Sequence, residues 1–195
     1  MENINQNYWE GRYRKDETGW DLGAVSTSLK QYIDQLKDKS IKILIPGCGN
    51  GYEAEYLFKN GFHNVHVVDY APMPLENLHK RIPEFPENQL HQNDFFATEG
   101  IYDLILEQTF FCALDPSLRK KYSEKMHHLL SGHGKLVGLL FNVDFGNNTP
   151  PFGGTKEEYE SYFAPYFFIK TFEECYNSIA PRAGRELFII AEKKI

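Results

Sequence analysis

The sequence lacks several features that would direct it to a membrane or to nucleic acid. Its longest apolar run, Leu136 to Phe141, is too short to span a bilayer. The start, MENINQNYWEGRYRKDETGWD, has no apolar core behind a basic head, so we expect neither a secretory signal nor a membrane anchor. Lysine and arginine total 21 against 27 acidic residues, which leaves no excess positive charge for a phosphate backbone. A small-molecule substrate is therefore favoured, with no nucleic acid or membrane partner.

Cysteine and histidine occur without the spacing of a metal or redox site. The three cysteines, Cys48, Cys112 and Cys175, form no CxxC pair. The seven histidines show no ligand spacing typical of zinc. We therefore expect no metal, and we expect reduced thiols in a cytoplasmic protein.

Short β-rich runs alternate with helical segments along most of the chain. This alternation predicts an α/β fold, a parallel sheet with helices on both faces. The last two β-rich runs, FFIKTFEECY and ELFIIAEKK, have no helix between them and predict an antiparallel hairpin at one edge. A chain of 195 residues with 42% hydrophobic content is long enough for one buried core and short for two. We expect a single domain over residues 1–195.

The stretch IKILIPGCGNGYEAE, residues 41–55, reads as a strand that ends in a glycine-rich turn. It has no lysine of the phosphate-binding GxxxxGK[ST] pattern. The dinucleotide pattern GxGxxG requires a third glycine where this chain has Tyr52. Gly47, Gly49 and Gly51 form GxGxG instead, a turn that lets a ligand approach the backbone without specifying pyrophosphate.

Acidic residues near the ends of the next two strands indicate which ligand fits this turn. Asp69 ends the second predicted strand, where a carboxylate can accept both hydroxyls of a ribose. A ribose-bearing ligand without pyrophosphate is S-adenosylmethionine, whose sulfonium prefers acidic and aromatic surroundings. In QNDFF, Asp94 can accept from the adenine amino group and Phe95 can lie against the ring. Alternatively, Asp94 caps a helix and Phe95 packs in the core.

Five segments together resemble one enzyme family: IPGCGNGYEAEYL, VVDYAP, NDFF, YDLILEQTFFCALDPSLRKKY and PPFGGTKEEY. They are similar to the thiopurine S-methyltransferase family, especially to its plant-type branch of halide and thiol methyltransferases. The likeness runs from YWEGRY to APRAGREL. It implies the Rossmann-like fold of class I S-adenosylmethionine-dependent methyltransferases, a mostly parallel seven-stranded sheet with an antiparallel edge hairpin.

The resemblance also implies that an N-terminal segment, residues 1–24, closes over the cofactor. Trp9 and Trp20 would then lie against the sulfonium and methionine portion, although packing onto the sheet is the alternative. After the fourth strand, relatives have aspartate where this chain has Glu107, whose longer side chain can keep the contact but shift it. The predicted cofactor-binding residues are Trp9, Trp20, Gly47, Gly49, Asp69, Asp94, Phe95 and Glu107.

The segment after the fourth strand also bears on the methyl acceptor. Enzymes that methylate amines often have [ND]PP[YF] where this chain has EQTF, which argues against an amine. The apolar FFCAL that follows would remove hydration from a small anion or thiolate and make it more reactive. We expect the PPFGG loop, residues 150–154, to form one wall or a lid of the acceptor pocket; the alternative is an ordinary turn. The resemblance brings Arg182 nearest to the pocket, while Arg119 and Arg185 stay unassigned. Predicted pocket residues are Phe110, Phe111, Phe152 and Arg182.

Our leading hypothesis is an S-adenosylmethionine-dependent methyltransferase that acts by in-line displacement on a thiol, hydrosulfide, thiocyanate, halide or thiopurine-like sulfur. The product of the cofactor would be S-adenosylhomocysteine. We assign no catalytic residue, because a nucleophile that arrives ionised needs no general base. The alternatives are methylation of an oxygen, nitrogen or carbon centre, or a non-catalytic nucleotide-binding protein of the same fold. We expect a monomer or weak dimer.

Overall fold

The computed structural model describes residues 4–195; residues 1–3 of the predicted N-terminal segment and domain lie outside the described residues. Seven strands form one sheet: β1 (Ile43–Pro46), β2 (Val65–Asp69), β3 (Leu90–Gln92), β4 (Tyr102–Gln108), β5 (Leu130–Phe141), β6 (Phe167–Glu174) and β7 (Glu186–Lys193). The α-helices are α1 (Gln6–Arg14), α2 (Thr27–Ile33), α3 (Tyr52–Lys59), α4 (Pro72–Arg81), α5 (Arg119–Leu129) and α6 (Lys156–Phe163).

The strands are ordered β3-β2-β1-β4-β5-β7-β6 across the sheet. The strands from β1 to β5 pair in parallel, whereas β7 pairs antiparallel with both β5 and β6. This arrangement confirms the predicted α/β fold and its antiparallel edge hairpin. Strand order reverses between β1 and β4, and in open sheets of this type ligands bind beyond the carboxyl ends of the strands at that point.

Helices cover both faces of the sheet because neighbouring strand residues point to opposite sides. On one face, Leu44 and Ile105 pack with Tyr122 and Met126 of α5 and with Phe163 of α6. The opposite face buries a second cluster against α2, α3 and α4, including Leu29, Ile43, Ile45, Leu57, Val67 and Leu78. No helix within residues 4–195 is long and apolar enough to cross a membrane.

Two helices, α1 and α6, are absent from the sequence-based prediction. The polar sequence of α1, QNYWEGRYR, has no clear apolar stripe, and Asn5 caps it by accepting from the Tyr8 amide at 3.1 Å. Before α6, Thr155 accepts from the Glu158 amide at 3.2 Å, and TKEE is the pattern of a capping box. That pattern is a sequence signal from which α6 can be predicted.

Candidate functional site

A cavity of about 680 Å³ lies beyond the carboxyl ends of β1, β2 and β4, where strand order reverses. Its walls also include the N-terminal segment and the β6–β7 connection, and its volume suits a small molecule. Nine of the twelve predicted site residues line it: Trp9, Trp20, Gly47, Gly49, Asp69, Asp94, Phe95, Phe110 and Arg182. Glu107, Phe111 and Phe152 lie outside its walls.

The glycine turn after β1 brings three parts of the chain into close contact. Gly47 and Gly49 have φ of +55° and +53°, a left-handed conformation that glycine adopts without steric cost. A Cβ atom on Gly47 would lie 2.2 Å from the Phe110 ring, and one on Gly49 would lie 3.1 Å from the Tyr13 hydroxyl. Both glycines are therefore required by the turn and by the aromatic side chains that pack on it.

Asp69 is held by the backbone at the end of β2. One carboxylate oxygen accepts from the Gly49 amide at 3.0 Å, and the other accepts from the Ala71 amide at 2.9 Å. Burial raises the pKa of Asp69 to about 6, although these amides oppose the shift. Because each carboxylate oxygen has a second lone pair, the group can still accept hydrogen bonds from a ligand in the cavity.

Asp94 and Phe95 combine the two roles that the sequence left open. Asp94 accepts from the Phe96 amide at 2.8 Å and so caps a short 3₁₀ helix, Phe95–Ala97. The Phe95 ring packs against the Phe110 ring with centroids 5.2 Å apart. Both residues also line the cavity. The helix cap and the core contact therefore hold these side chains at the wall.

The N-terminal segment contributes an aromatic wall. Trp20 packs edge-to-face against Trp9, with centroids 5.5 Å apart, and against Tyr13, at 5.7 Å. All three side chains line the cavity, and such rings attract a ligand cation. The sequence-based prediction missed Tyr13, although it lies four residues after Trp9, on the same face of a helix.

Glu107, a predicted cofactor-binding residue, does not line the cavity. Its side chain is turned into the protein and is only 1% exposed. One carboxylate oxygen accepts from the Phe110 and Phe111 amides at 2.8 and 2.9 Å. The other accepts from the Tyr122 hydroxyl at 2.6 Å. Burial raises the pKa of Glu107 to about 7. Glu107 therefore stabilises the turn after β4 from inside the core.

Phe111 and Phe152 also lie away from the predicted acceptor pocket. Phe111 is buried against Tyr122 and Tyr159, each with a centroid distance of 5.1 Å. The Phe152 amide donates to the Cys112 carbonyl at 2.7 Å. Pro150 and Pro151 supply the wall from this loop in place of Phe152. Phe111 therefore belongs to the core, and the Phe152 backbone ties the loop after β5 to the turn after β4.

Arg119 is a buried residue that holds the loop after β5, and it is only 1% exposed. Its guanidinium donates to a Glu158 carboxylate oxygen at 2.7 Å and to the Gly153 carbonyl at 2.8 Å. The guanidinium carbon lies 5.0 Å from the Phe111 ring centroid. Arg119 therefore connects α5, α6 and the loop that carries the proline wall.

Arg182 and Arg185 reach the cavity from the β6–β7 connection. Arg182 is buried, donates to the Trp20 carbonyl at 2.7 Å and pairs with Glu186 at 3.3 Å. Arg185 is exposed, and its guanidinium carbon lies 5.2 Å from the Phe145 ring centroid. The connection thus brings two positive charges to the edge where β4 and β5 end.

Gln108, at the end of β4, carries an amide suited to a polar ligand. Its amide nitrogen and oxygen are both buried and have no hydrogen-bond partner among the described residues. A buried group left in this state costs about 1–3 kcal/mol, which a ligand that bonds to the amide would recover. Gln108 lines the cavity, so the site fits a ligand with polar as well as apolar parts. Across residues 4–195, no three metal-binding side chains cluster.

Solved structures with the same fold define the class. The 1,6-didemethyltoxoflavin-N1-methyltransferase of Burkholderia thailandensis, bound to S-adenosylhomocysteine, superposes with a TM-score of 0.76 at 18% identity; the match covers 98% of this chain and 88% of that chain. A TehB-like S-adenosylmethionine-dependent methyltransferase of Corynebacterium glutamicum has a TM-score of 0.68 at 19% identity, covering 97% and 98%. The fold is that of class I S-adenosylmethionine-dependent methyltransferases.

The model of the thiopurine S-methyltransferase family matches residues 4–193, and the chain belongs to this family of S-adenosylmethionine-dependent methyltransferases. It is 30% identical to a probable thiol methyltransferase 2 of Arabidopsis thaliana, covering 91% of this chain and 81% of the relative. Identity is 26% to thiocyanate methyltransferase 1 of Brassica oleracea, covering 95% and 84%. A thiopurine S-methyltransferase of Vibrio vulnificus is 23% identical, covering 92% and 90%. These matches confirm the family resemblance and the cofactor predicted from the sequence.

Proposed function

We propose that this enzyme transfers a methyl group from S-adenosylmethionine to a small, soft anion: a thiolate, hydrosulfide, thiocyanate, halide or thiopurine-like sulfur. The observation that carries this proposal is the composition of one half of the cavity. The acceptor half, as we define it, consists of the cavity-lining residues at and after the ends of β4 and β5 and in the β6–β7 connection, apart from Lys121, which lies over Phe96. These residues are Gln108, Thr109, Phe110, Cys112, Ala113, Leu114, Asp115, Leu118, Phe141, Phe145, Pro150, Pro151, Pro181, Arg182 and Arg185.

The remaining lining residues form the cofactor half; they come from the N-terminal segment, from the ends of β1, β2 and β3 with the start of α3, and from Lys121 of α5. We infer that Trp9, Trp20, Gly47, Gly49, Asp69, Asp94 and Phe95 hold S-adenosylmethionine. When bound, this cofactor supplies an electrophilic methyl carbon on a sulfonium. The Asp69 carboxylate suits ribose hydroxyls, and the Trp9 and Trp20 rings suit a cation.

The acceptor half favours a nucleophile that is already ionised. No histidine is among the cavity-lining residues of the described chain. Asp115 lines the cavity nearby, but its carboxylate accepts from the Ser117 hydroxyl and amide, which lower its pKa. With no histidine among these described lining residues and with the pKa of Asp115 lowered, the acceptor half offers no general base near neutral pH. Phenylalanine and proline walls would instead strip water from an incoming anion, and Arg182 provides fixed positive charge.

Further features support a small sulfur acceptor. The relatives are named for thiol, thiocyanate and thiopurine methylation, and all of these acceptors are small. The acidic balance of the chain supports the absence of a nucleic acid partner. We further propose one methyltransferase domain that acts in the cytoplasm as a monomer or weak dimer.

The proposal is tested by offering methyl-labelled S-adenosylmethionine with iodide, hydrosulfide, thiocyanate, an aromatic thiol and a small amine. Volatile products are detected in the headspace, and methylated thiols are detected in solution. We expect methylation of the sulfur or halide acceptors. Methylation of the amine alone would contradict the proposal, as would tighter calorimetric binding of NAD than of S-adenosylmethionine.

A further inference from the structure

We propose that Arg185 selects anionic acceptors by binding them at the mouth of the acceptor half; this inference rests on the proposed function. The basic residues that line the cavity are Arg12, Lys121, Arg182 and Arg185. Lys121 lies over Phe96, which follows β3 in the cofactor half. The choice for the acceptor half is therefore between Arg182 and Arg185.

The guanidinium of Arg182 is already committed to the protein. It donates to the Trp20 carbonyl at 2.7 Å and to Glu186 at 3.3 Å, and it is only 8% exposed. The Glu186 carboxylate also offsets part of its charge. Arg182 therefore fixes the N-terminal segment against the β6–β7 connection, and these two bonds hold its guanidinium in place.

Arg185 has the opposite properties. Within residues 4–195 its side chain forms no hydrogen bond or ion pair, and it is exposed. Its backbone is nevertheless fixed, because its amide donates to the Arg182 carbonyl at 3.0 Å and its carbonyl accepts from the Asn142 amide at 2.8 Å. A held backbone with a free guanidinium suits a residue that binds an incoming ligand.

The aromatic residues around Arg185 connect it with the interior. The Arg185 guanidinium lies over Phe145, whose ring packs edge-to-face on Phe141 at 5.1 Å. The Arg182 guanidinium carbon lies 5.4 Å from the centroid of the Phe141 ring. A guanidinium that contacts a ring through its face keeps its N–H groups free for an anion. An anion bound at Arg185 would therefore lie near the Phe145 and Phe141 rings, with the positive charge of Arg182 next to Phe141.

The ligand class that this arrangement recognises is a small monovalent anion, such as thiocyanate, iodide or a thiolate. Because Arg185 is exposed, its attraction acts partly through solvent and is screened by salt. Arg185 would therefore affect capture of the acceptor more than the methyl transfer step. Its loss should appear in the acceptor KM and in the salt dependence of kcat/KM.

The experiment compares the wild type with Arg185→Gln, Arg185→Lys and the control Lys120→Gln. Lys120 is exposed and does not line the cavity, so its substitution removes the same charge elsewhere. With thiocyanate, Arg185→Gln should raise the acceptor KM about tenfold, equivalent to about 1.4 kcal/mol. The kcat should stay within about twofold, since the transfer step is not expected to depend on Arg185. The salt dependence of kcat/KM should become weaker. Arg185→Lys should restore much of the KM, and Lys120→Gln should match the wild type.

Calorimetric titration of thiocyanate into the S-adenosylhomocysteine complex measures binding without turnover, and Arg185→Gln should bind about tenfold more weakly. Unchanged thiocyanate binding and KM in Arg185→Gln would overturn the inference while leaving the proposed function intact. A fall in kcat at constant KM, or weaker cofactor binding, would also overturn it. If the wild type neither binds nor methylates thiocyanate, iodide or hydrosulfide but methylates the amine, the proposed function itself fails.

Discussion

The buried charged side chains that line the cavity are carboxylates in the cofactor half and an arginine in the acceptor half. Asp69 and Glu53 place buried carboxylates in the cofactor half, and backbone amides hold them directly. In the acceptor half, Arg182 and Arg185 lie over phenylalanine rings. The cofactor half thus suits a cation with hydroxyl groups, and the acceptor half suits a desolvated anion.

The two halves also differ in what supports them. Asp69 is fixed by amides next to it in the chain and in the glycine turn. The acceptor half depends on two buried charged residues outside the cavity, Glu107 under the turn after β4 and Arg119 behind the proline wall. Because the supports are separate, substitutions should affect one half at a time, except at Gly47 and at Arg182, whose bond to the Trp20 carbonyl joins the halves.

The largest effect is expected at Gly47, because it joins the two halves. In Gly47→Ala, the left-handed backbone and the clash with Phe110 should together cost about 3 kcal/mol or more. Cofactor affinity, measured by calorimetry, should fall, and the acceptor KM, measured by kinetics, should rise. Thermal unfolding measures the loss of stability. The control is Gly146→Ala, since Gly146 has φ +64° but open space around it, with an expected cost of about 1 kcal/mol. Equal losses in both variants would show that the Phe110 contact is unimportant.

Arg119→Met should affect the acceptor half alone. It removes the bonds to Glu158 and the Gly153 carbonyl and should cost about 2–3 kcal/mol of unfolding free energy, measured in urea. The acceptor KM should rise several-fold, whereas the dissociation constant of S-adenosylmethionine should not change. Lys156→Met, which breaks a partly exposed pair with Glu173, serves as the control and should cost less than about 1 kcal/mol. A change in cofactor binding in Arg119→Met would contradict the separation of the halves.

Asp69→Ala tests the cofactor half. Loss of the carboxylate should weaken S-adenosylmethionine binding by about 1–3 kcal/mol, because ribose hydroxyls would lose their acceptor. The acceptor KM at saturating cofactor should stay close to that of the wild type. Asp38→Ala is a matched control, since Asp38 also accepts from a backbone amide, that of Ser40, but lies on the surface. Calorimetry that found unchanged affinity in Asp69→Ala would place the ribose elsewhere.

The pH dependence of cofactor binding gives the smallest of these effects. Hydroxyl donors prefer the ionised carboxylate, so binding should weaken by about tenfold as the pH falls from about 7 to about 5, through the pKa of Asp69 near 6. The pH dependence of folding stability has the opposite sign to that of cofactor binding. Because folding raises this pKa, its stabilising contribution is complete below about pH 4 and is lost as the pH rises through about 6. In Asp69→Asn, binding should be flat over this range; a slope equal to that of the wild type would implicate another group.

Much of the fold could be predicted from the sequence because its signals are local. The apolar runs of β1 and β2 are short and end in turn residues. These local signals predict the alternation of strands and helices. Helix α1 lacked such a signal, since its sequence is mostly polar and its packing depends on tertiary contacts such as that between Glu10 and the Met73 amide. Gly132 is typical of a position just after a helix, yet α5 ends earlier, at Leu129, because the chain joins β5 at Leu130.

Within the site, the predicted residues after β1 and β2 line the cavity, whereas two of those around the end of β4, Glu107 and Phe111, do not. Asp69 follows directly from its place at the end of β2. After β4, however, Thr109 adopts φ +59°, and Phe110 then lines the cavity while Phe111 enters the core. No pattern in EQTFF, residues 107–111, predicts this backbone conformation of Thr109. Similarly, Arg119 is buried because of Glu158, a partner 39 residues away that no local pattern reveals.

The antiparallel strand β7 has a consequence for how acceptor preference can change. It pairs with β5 so that Glu186 lies opposite Phe141, which brings the segment 175–185 to the edge where the parallel strands end. Both ends of this segment are anchored by β6 and β7. Exchanges within it that keep Arg182, and with it the bond to the Trp20 carbonyl, would alter the acceptor half without shifting the strands that carry the glycine turn and Asp69. The connection is therefore a place where acceptor preference can be engineered while the strands that hold the cofactor residues are left unchanged.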